Sequence, residues 1–158
     1  KTALSNKKNQ IVSFELSNEN FGDHRVKISK QSGLYKEQNR KVITTQSNKF
    51  DDLIKLSNPN STLIWIYTQG HEGHVLEGAK KSLFIQTPPI VLLFCPYTLK
   101  RAKGLNKLLN FLKKSNYIYF VRLEQNNGKK IKINSKNLAE LVSDLGFKGN
   151  FSDLLIIK

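Results

Sequence analysis

From Ser61 onward the hydrophobic positions alternate between two periods, and this alternation organises most of the chain. Residues 63–67 (LIWIY) form an unbroken apolar run, which predicts a strand buried on both faces. Gly70 and Gly73 mark a turn, and residues 72–84 then carry Val75, Leu76, Ala79 and Leu83 on one helical stripe. Pro88 and Pro89 stop that helix, and residues 90–95 (IVLLFC) predict a second strand buried on both faces. A strand–helix–strand unit of this length implies two parallel strands joined by a right-handed crossover.

The alternation then continues. Leu105, Leu108, Leu109 and Leu112 fall at helical spacing after Gly104, and the aromatic run 117–123 (YIYFVRL) predicts another strand. Asn126, Asn127 and Gly128 signal a turn, after which residues 129–135 (KKIKINS) predict a short edge strand or a loop. Leu138, Leu141, Val142 and Leu145 predict a helix that stops at Gly146, and residues 154–157 (LLII) a last buried strand. Alternating strands and helices of this kind predict an α/β fold.

The first sixty residues read differently. Residues 11–16 alternate like a half-exposed strand, 41–45 predict another, and 50–56 one or two helical turns. Between them, residues 29–40 (SKQSGLYKEQNR) predict a polar loop with freedom to move. At 158 residues the chain has the length of one domain, with a less regular region over 1–60 and a strand–helix core over 61–158.

No stretch reaches the roughly 20 apolar residues that span a bilayer, and the polar start KTALSNKKNQ lacks the apolar centre of a signal peptide. The one cysteine, Cys95, has no partner for an internal disulfide, which fits a reducing, cytoplasmic setting. The net charge of +14 raises nucleic acid or another anionic polymer as a partner. The excess is dispersed, however, in Lys pairs at 7–8, 80–81, 113–114 and 129–130, with only Arg25, Arg40, Arg101 and Arg122 as arginines. Readers of phosphates and bases lean on Arg, so the pattern describes solvated faces better than a specific interface.

Candidate chemistry gathers around residues 67–74. His71, Glu72 and His74 invite a metal reading, but the histidines stand three apart with Gly73 between them, where the helical metalloprotease motif needs four, and a third ligand, His24, is distant in sequence. There is no G-x-G-x-x-G and no Walker pattern among the nine glycines. Cys95 ends a buried strand before Pro96 and reads as a small core thiol. Position carries more information. Open α/β sheets hold ligands beyond the carboxyl ends of their parallel strands, which here means Tyr67, Gln69, His71 and Glu72 on one strand and Cys95 and Tyr97 on the next. Glu72 also suits the first turn of a helix, where a carboxylate complements the helix dipole.

Four segments in order, NFGDHRV at 20–26, FDDLI at 50–54, QGHEGHVLEGAKKSL at 69–83 and PPIVLLFCPYTLKR at 88–101, resemble the FkbM family of S-adenosylmethionine-dependent methyltransferases. The resemblance spans about residues 10–125 and corresponds to the C-terminal part of that family's catalytic domain. It implies a Rossmann-like methyltransferase sheet, mostly parallel with an antiparallel last strand. The strands at 63–67, 90–95 and 117–123 would be its fourth, fifth and sixth, and 154–157 the antiparallel one. The first cofactor-binding strands, with the loop and the acidic residue that hold S-adenosylmethionine, would come before Lys1.

The same resemblance implies O-methylation of a sugar or other small hydroxylated acceptor. Glu72 and His71 would be catalytic and Asn20, His24 and Arg25 would bind the acceptor, joined by Gln69, Tyr67 and Tyr97, which their position at the strand ends places there. Tyr67 stands where the family usually carries Asp and Leu93 where an acidic residue is common; a phenol with a pKa near 10 is not an equivalent charged partner. Two other readings follow from the residues themselves. One is a non-enzymatic basic module that binds anionic polymers; the other is a subunit that associates through the open flank of the 63–67 strand.

Overall fold

The computed structural model describes residues 2–125 and 127–158, so Lys1 and the Asn126 of the turn signal lie outside the described residues. The chain begins with a four-stranded sheet that the sequence pattern resolved only in part. It consists of β1 (Ala3–Leu4), β2 (Ile11–Leu16), β3 (Arg25–Val26) and β4 (Lys41–Asn48), in the order β1-β4-β2-β3. β2 and β4 pair antiparallel from Ile11 opposite Gln46 to Leu16 opposite Lys41, so partners come together from some thirty residues apart. β4 is longer than its apolar pattern indicates, because the ladder to β2 and the parallel pairing with β1 hold its polar end, Gln46 to Asn48.

After the short helix α1 (Phe50–Leu53) comes the second sheet: β5 (Ile64–Ile66), α2 (Glu72–Glu77), α3 (Lys80–Gln86), β6 (Ile90–Phe94), α4 (Pro96–Arg101), α5 (Leu105–Lys114), β7 (Tyr119–Arg122), β8 (Ile131–Lys132), α6 (Ser135–Leu145) and β9 (Ser152–Ile157). The strand order is β5-β6-β9-β7-β8. β5 and β6 pair parallel, as predicted, with Ile64 opposite Ile90 and Ile66 opposite Leu92. β9 lies antiparallel between β6 and β7, and β8 antiparallel on β7. Strands β5, β6 and β7 therefore share one direction. Counted by pairing, however, the sheet is mostly antiparallel, because the last strand enters between two strands that would otherwise be neighbours. The fold is mixed α/β with sheets of mixed strand direction.

The core is one contiguous cluster between this sheet and its helices, built on Ile66, Leu76, Leu92, Phe94, Leu108, Phe111, Phe120, Leu141 and Ile156. Every residue of β6 is buried, since strands flank it on both sides and side chains cover both faces. α5 buries Leu108, Phe111 and Leu112 at helical spacing, each contributing about 1.5–3 kcal/mol on leaving water. α6 ends, as predicted, at Gly146, whose φ is +60°.

Two predictions fail for reasons of neighbourhood. β5 is not buried on both faces: Trp65 is 64% exposed, and Leu63 and Tyr67 are exposed as well, because β5 is the outermost strand of its sheet. The helix over 72–84 is two helices, broken at Gly78 and Ala79. A Cβ on Gly78 would stand 2.1 Å from the carbonyl oxygen of Ser5, so the N-terminal strand presses on the chain there. Asp51 then caps the second piece from outside, its carboxylate accepting from the backbone N–H groups of Lys81 and Ser82, both at 2.9 Å.

Candidate functional site at the strand rim

The exit of β5 is a tight turn held from beneath by a carboxylate. Glu72 is fully buried at the start of α2, and its two oxygens accept from the backbone N–H groups of Thr68 at 2.8 Å and Gly70 at 2.9 Å. Burial pushes its pKa up to about 7 against the opposing pull of those N–H groups. Gly70 has φ +107°, and a Cβ there would lie 2.4 Å from the carbonyl oxygen of Thr98 on α4, so only glycine lets the turn sit on its neighbour. Gln69 beside it is left-handed at φ +53°, a conformation that costs a non-glycine residue about 1–2 kcal/mol. Its side chain extends toward the first sheet and donates to the carbonyl oxygen of Gly22 at 3.3 Å.

Above this turn and the end of β6 lies a cavity of about 510 Å³. Tyr67, Gln69, Leu93 and Cys95 line it from the second sheet, and Asn20 and Arg25 from the first. Its far wall is an ion-pair network. Arg25 and Arg40 both bind Asp23; Arg25 also reaches Glu37 at 3.5 Å, and Arg101 reaches the same carboxylate at 3.4 Å. Tyr97 donates to Glu37 at 3.1 Å while accepting from the backbone N–H of Leu34 at 2.7 Å, and the guanidinium of Arg25 lies 5.0 Å over the ring of Tyr35. Burial works to raise the pKa of Glu37, but its hydrogen bonds and Arg101 win and hold it below the usual carboxylate range. Burial, reinforced by Arg40, lowers that of Arg25.

The segment 29–40, predicted to be a free loop, is therefore fastened to α4. Arg101 also donates to the carbonyl oxygens of Gln31 and Ser32. Gly33 fits over the network because a Cβ there would meet the Tyr97 hydroxyl at 2.3 Å. Glu37, Asp23, Arg40 and Arg101 are the residues that sequence reading missed. The signal available was that two of the four arginines, Arg25 and Arg101, sit in the segments 20–26 and 88–101.

The structure brings together four of the predicted site residues, Tyr67, Gln69, Asn20 and Arg25, at one cavity. It separates the other four. Tyr97 turns to the loop side, where it binds Glu37. Glu72 is occupied with the turn backbone and has no exposed surface. His71 and His24 line a different cavity, of about 500 Å³, which shares Tyr67 with the first. His71 is 3% exposed, stacks on His74 with ring centroids 4.3 Å apart, and is held neutral by burial, its pKa lowered to about 3. His74 is anchored to the carbonyl oxygen of Ala102 at 2.8 Å. Among the described residues no group of three or more His, Cys, Asp or Glu is placed to hold a metal ion.

Asp153 stands directly across from Leu93 in the β6–β9 register, so an acidic group returns to this rim from the neighbouring strand. Burial raises its pKa, as does the carboxylate of Glu124. Burial also raises the pKa of Tyr67, with Asp153 and Glu72 adding to the shift, so its phenol is neutral and serves as a hydrogen-bonding group. No helix among the described residues is long and apolar enough to cross a membrane. Compared with protein-family models, curated proteins and solved structures, the chain gives no significant match in any of the three.

Proposed function

We propose that the chain is part of an S-adenosylmethionine-dependent methyltransferase domain of FkbM type that O-methylates a sugar or other small hydroxylated acceptor, and that the rim cavity receives the acceptor. One observation carries the reading: two parallel strands end side by side under a cavity lined by Tyr67, Gln69, Asn20 and Arg25. The antiparallel last strand and the order of the quoted segments support it. When bound, S-adenosylmethionine supplies an electrophilic methyl group for an acceptor oxygen. The described residues contain no glycine-rich strand–turn–helix to hold it, and β5 has no strand beyond it. The residues are therefore assigned to the acceptor side, and no transfer step is routed through them.

On that side the chemistry is alignment. The neutral phenol of Tyr67 and the amide of Gln69 offer donors and acceptors to hydroxyl groups, and the strained backbone at Gln69 fixes their direction. Titration of the isotope-labelled chain with methyl α-glucoside tests this. The amide signals of Thr68, Gln69 and Gly70 should shift with a Kd of order millimolar, whereas S-adenosylmethionine should give no micromolar binding by calorimetry. Micromolar cofactor binding would overturn the assignment to the acceptor side alone. Glycoside titration without any shift at those amides would remove the acceptor site.

A second reading, a basic module for anionic polymers, is favoured by the charge of +14 and by the exposure of all four Lys pairs. The arginines do not contribute to it, since Arg25, Arg40, Arg101 and Arg122 are each paired with a carboxylate. It requires binding of a labelled oligonucleotide that weakens steeply with salt. No binding at low salt would dismiss it.

A further inference from the structure

A third cavity, an open cleft of about 820 Å³, shares only Leu34 with the rim cavity. Three segments far apart in sequence build it: residues 28–34, the end of α4 with the turn after it, and Phe147 beyond α6. Arg101 donates to the carbonyl oxygens of Gln31 and Ser32, Tyr97 accepts from the N–H of Leu34, and the ammonium of Lys100 lies 4.7 Å over the ring of Phe147. The walls are thus tied to one another.

The charge of this cleft has one sign. Lys30, Lys100, Arg101 and Lys103 line it, and no acidic residue among the described ones does. Arg101 is answered by Glu37, which is fully buried. The three lysines are not answered: those that form ion pairs among the described residues are Lys36, Lys80, Lys107 and Lys136, none of which lines the cleft. Three unmatched positive charges therefore border one concavity, whose low-dielectric walls concentrate their field. Beside them Ile28, Leu34 and Phe147 leave apolar surface exposed. Small-molecule sites combine these features in concavities of up to about 1,000 Å³. The matching ligand has apolar surface and more than one negative charge. Lysine binds phosphate as a point charge, and a phosphate ester carries about 1.5–2 charges at neutral pH, where a carboxylate carries one.

We infer that this cleft binds a small organic phosphate, its phosphate group held by Lys30, Lys100 and Lys103 and its organic body set against Leu34 and Phe147. None of the four Lys pairs takes part, and the site depends on neither the methyltransferase reading nor the polymer reading.

The probes are adenosine diphosphate, adenosine and inorganic pyrophosphate, followed by the amide shifts of the isotope-labelled chain at low salt. The diphosphate should shift the amides of residues 29–34 and 100–103 saturably, with a Kd on the order of a millimolar or below. Adenosine should bind at least about tenfold more weakly for want of charge, and pyrophosphate about three- to tenfold more weakly for want of a body. Lys100→Gln with Lys103→Gln should weaken the diphosphate about tenfold, whereas Lys113→Gln with Lys114→Gln, an equal loss of charge on α5, should leave it unchanged. All four side chains are exposed, so neither variant puts folding at stake. Equal weakening by the two double variants would assign binding to the net charge of the chain and overturn the proposal. So would adenosine matching the diphosphate, amides in the cleft that stay still, or a short oligothymidylate that shifts them while the diphosphate does not.

Discussion

β5 and β6 are written in nearly the same alphabet, LIWIY and IVLLFC, run side by side in the same direction, and end in opposite environments. β6 has a strand on each side and is buried at every position. β5 has a strand on one side only, and its central Trp65 stands largely in solvent. Apolar composition thus states what a strand can tolerate, whereas its place in the sheet decides what it receives. The exits differ as well. β6 passes into α4 through Pro96, while β5 needs a left-handed Gln69, a glycine at positive φ and a buried carboxylate to make its turn.

The contrast predicts unequal costs for similar substitutions. Leu92→Ala, in the fully packed strand, should destabilise the chain by about 2–5 kcal/mol in urea denaturation. Trp65→Ala, removing a larger but mostly exposed side chain, should cost under about 1 kcal/mol. Equal losses at the two positions would mean that β5 is covered in solution. Gly70→Ala should cost about 3 kcal/mol, from the positive φ and the close carbonyl of Thr98 together, and should displace the rim residues. A stability within 0.5 kcal/mol (about the scatter of neutral surface changes) would show that the turn yields easily.

The remaining effect is a slope with pH. The folded chain keeps His71 neutral down to about pH 3, whereas the unfolded chain protonates it near 6.5, so this group withdraws stability as pH falls through that window. Glu72 acts in the opposite sense: the folded chain retains its proton up to about pH 7, the unfolded chain loses it near 4.5, and stability falls as pH rises between them. Between pH 4.5 and 6.5 the two slopes cancel. Glu72→Gln removes one of them, and stability should then rise by about 1.4 kcal/mol per pH unit across that range. A variant as flat as the parent chain would show that one of the two groups is more solvated than its burial indicates.

What could be read in advance follows from the range of each cause. α5, α6, β6 and β9 are specified by side chains within a single element, and their period and punctuation were sufficient. The break between α2 and α3 lies where Gly78 packs against the carbonyl of Ser5, seventy-odd residues earlier, and no local pattern encodes that approach. The first sheet depends on pairing between β2 and β4 across an intervening polar segment, so its strands were visible but their assembly was not. At the rim, the position of Tyr67 and Gln69 followed from strand polarity alone. The network of Asp23, Glu37 and three arginines did not, because charged residues look alike in sequence whether they face water or each other.

The bare flank of β5 has a consequence for handling the molecule. A short strand with Trp65 at its centre and no Lys or Pro within it offers an unguarded ladder to any second molecule that approaches. Repulsion between chains of charge +14 opposes such encounters, and dissolved ions shorten its reach to about 8 Å at physiological strength. Colloidal stability should therefore decline as salt is added, and dilute, low-salt buffer should preserve single molecules longest.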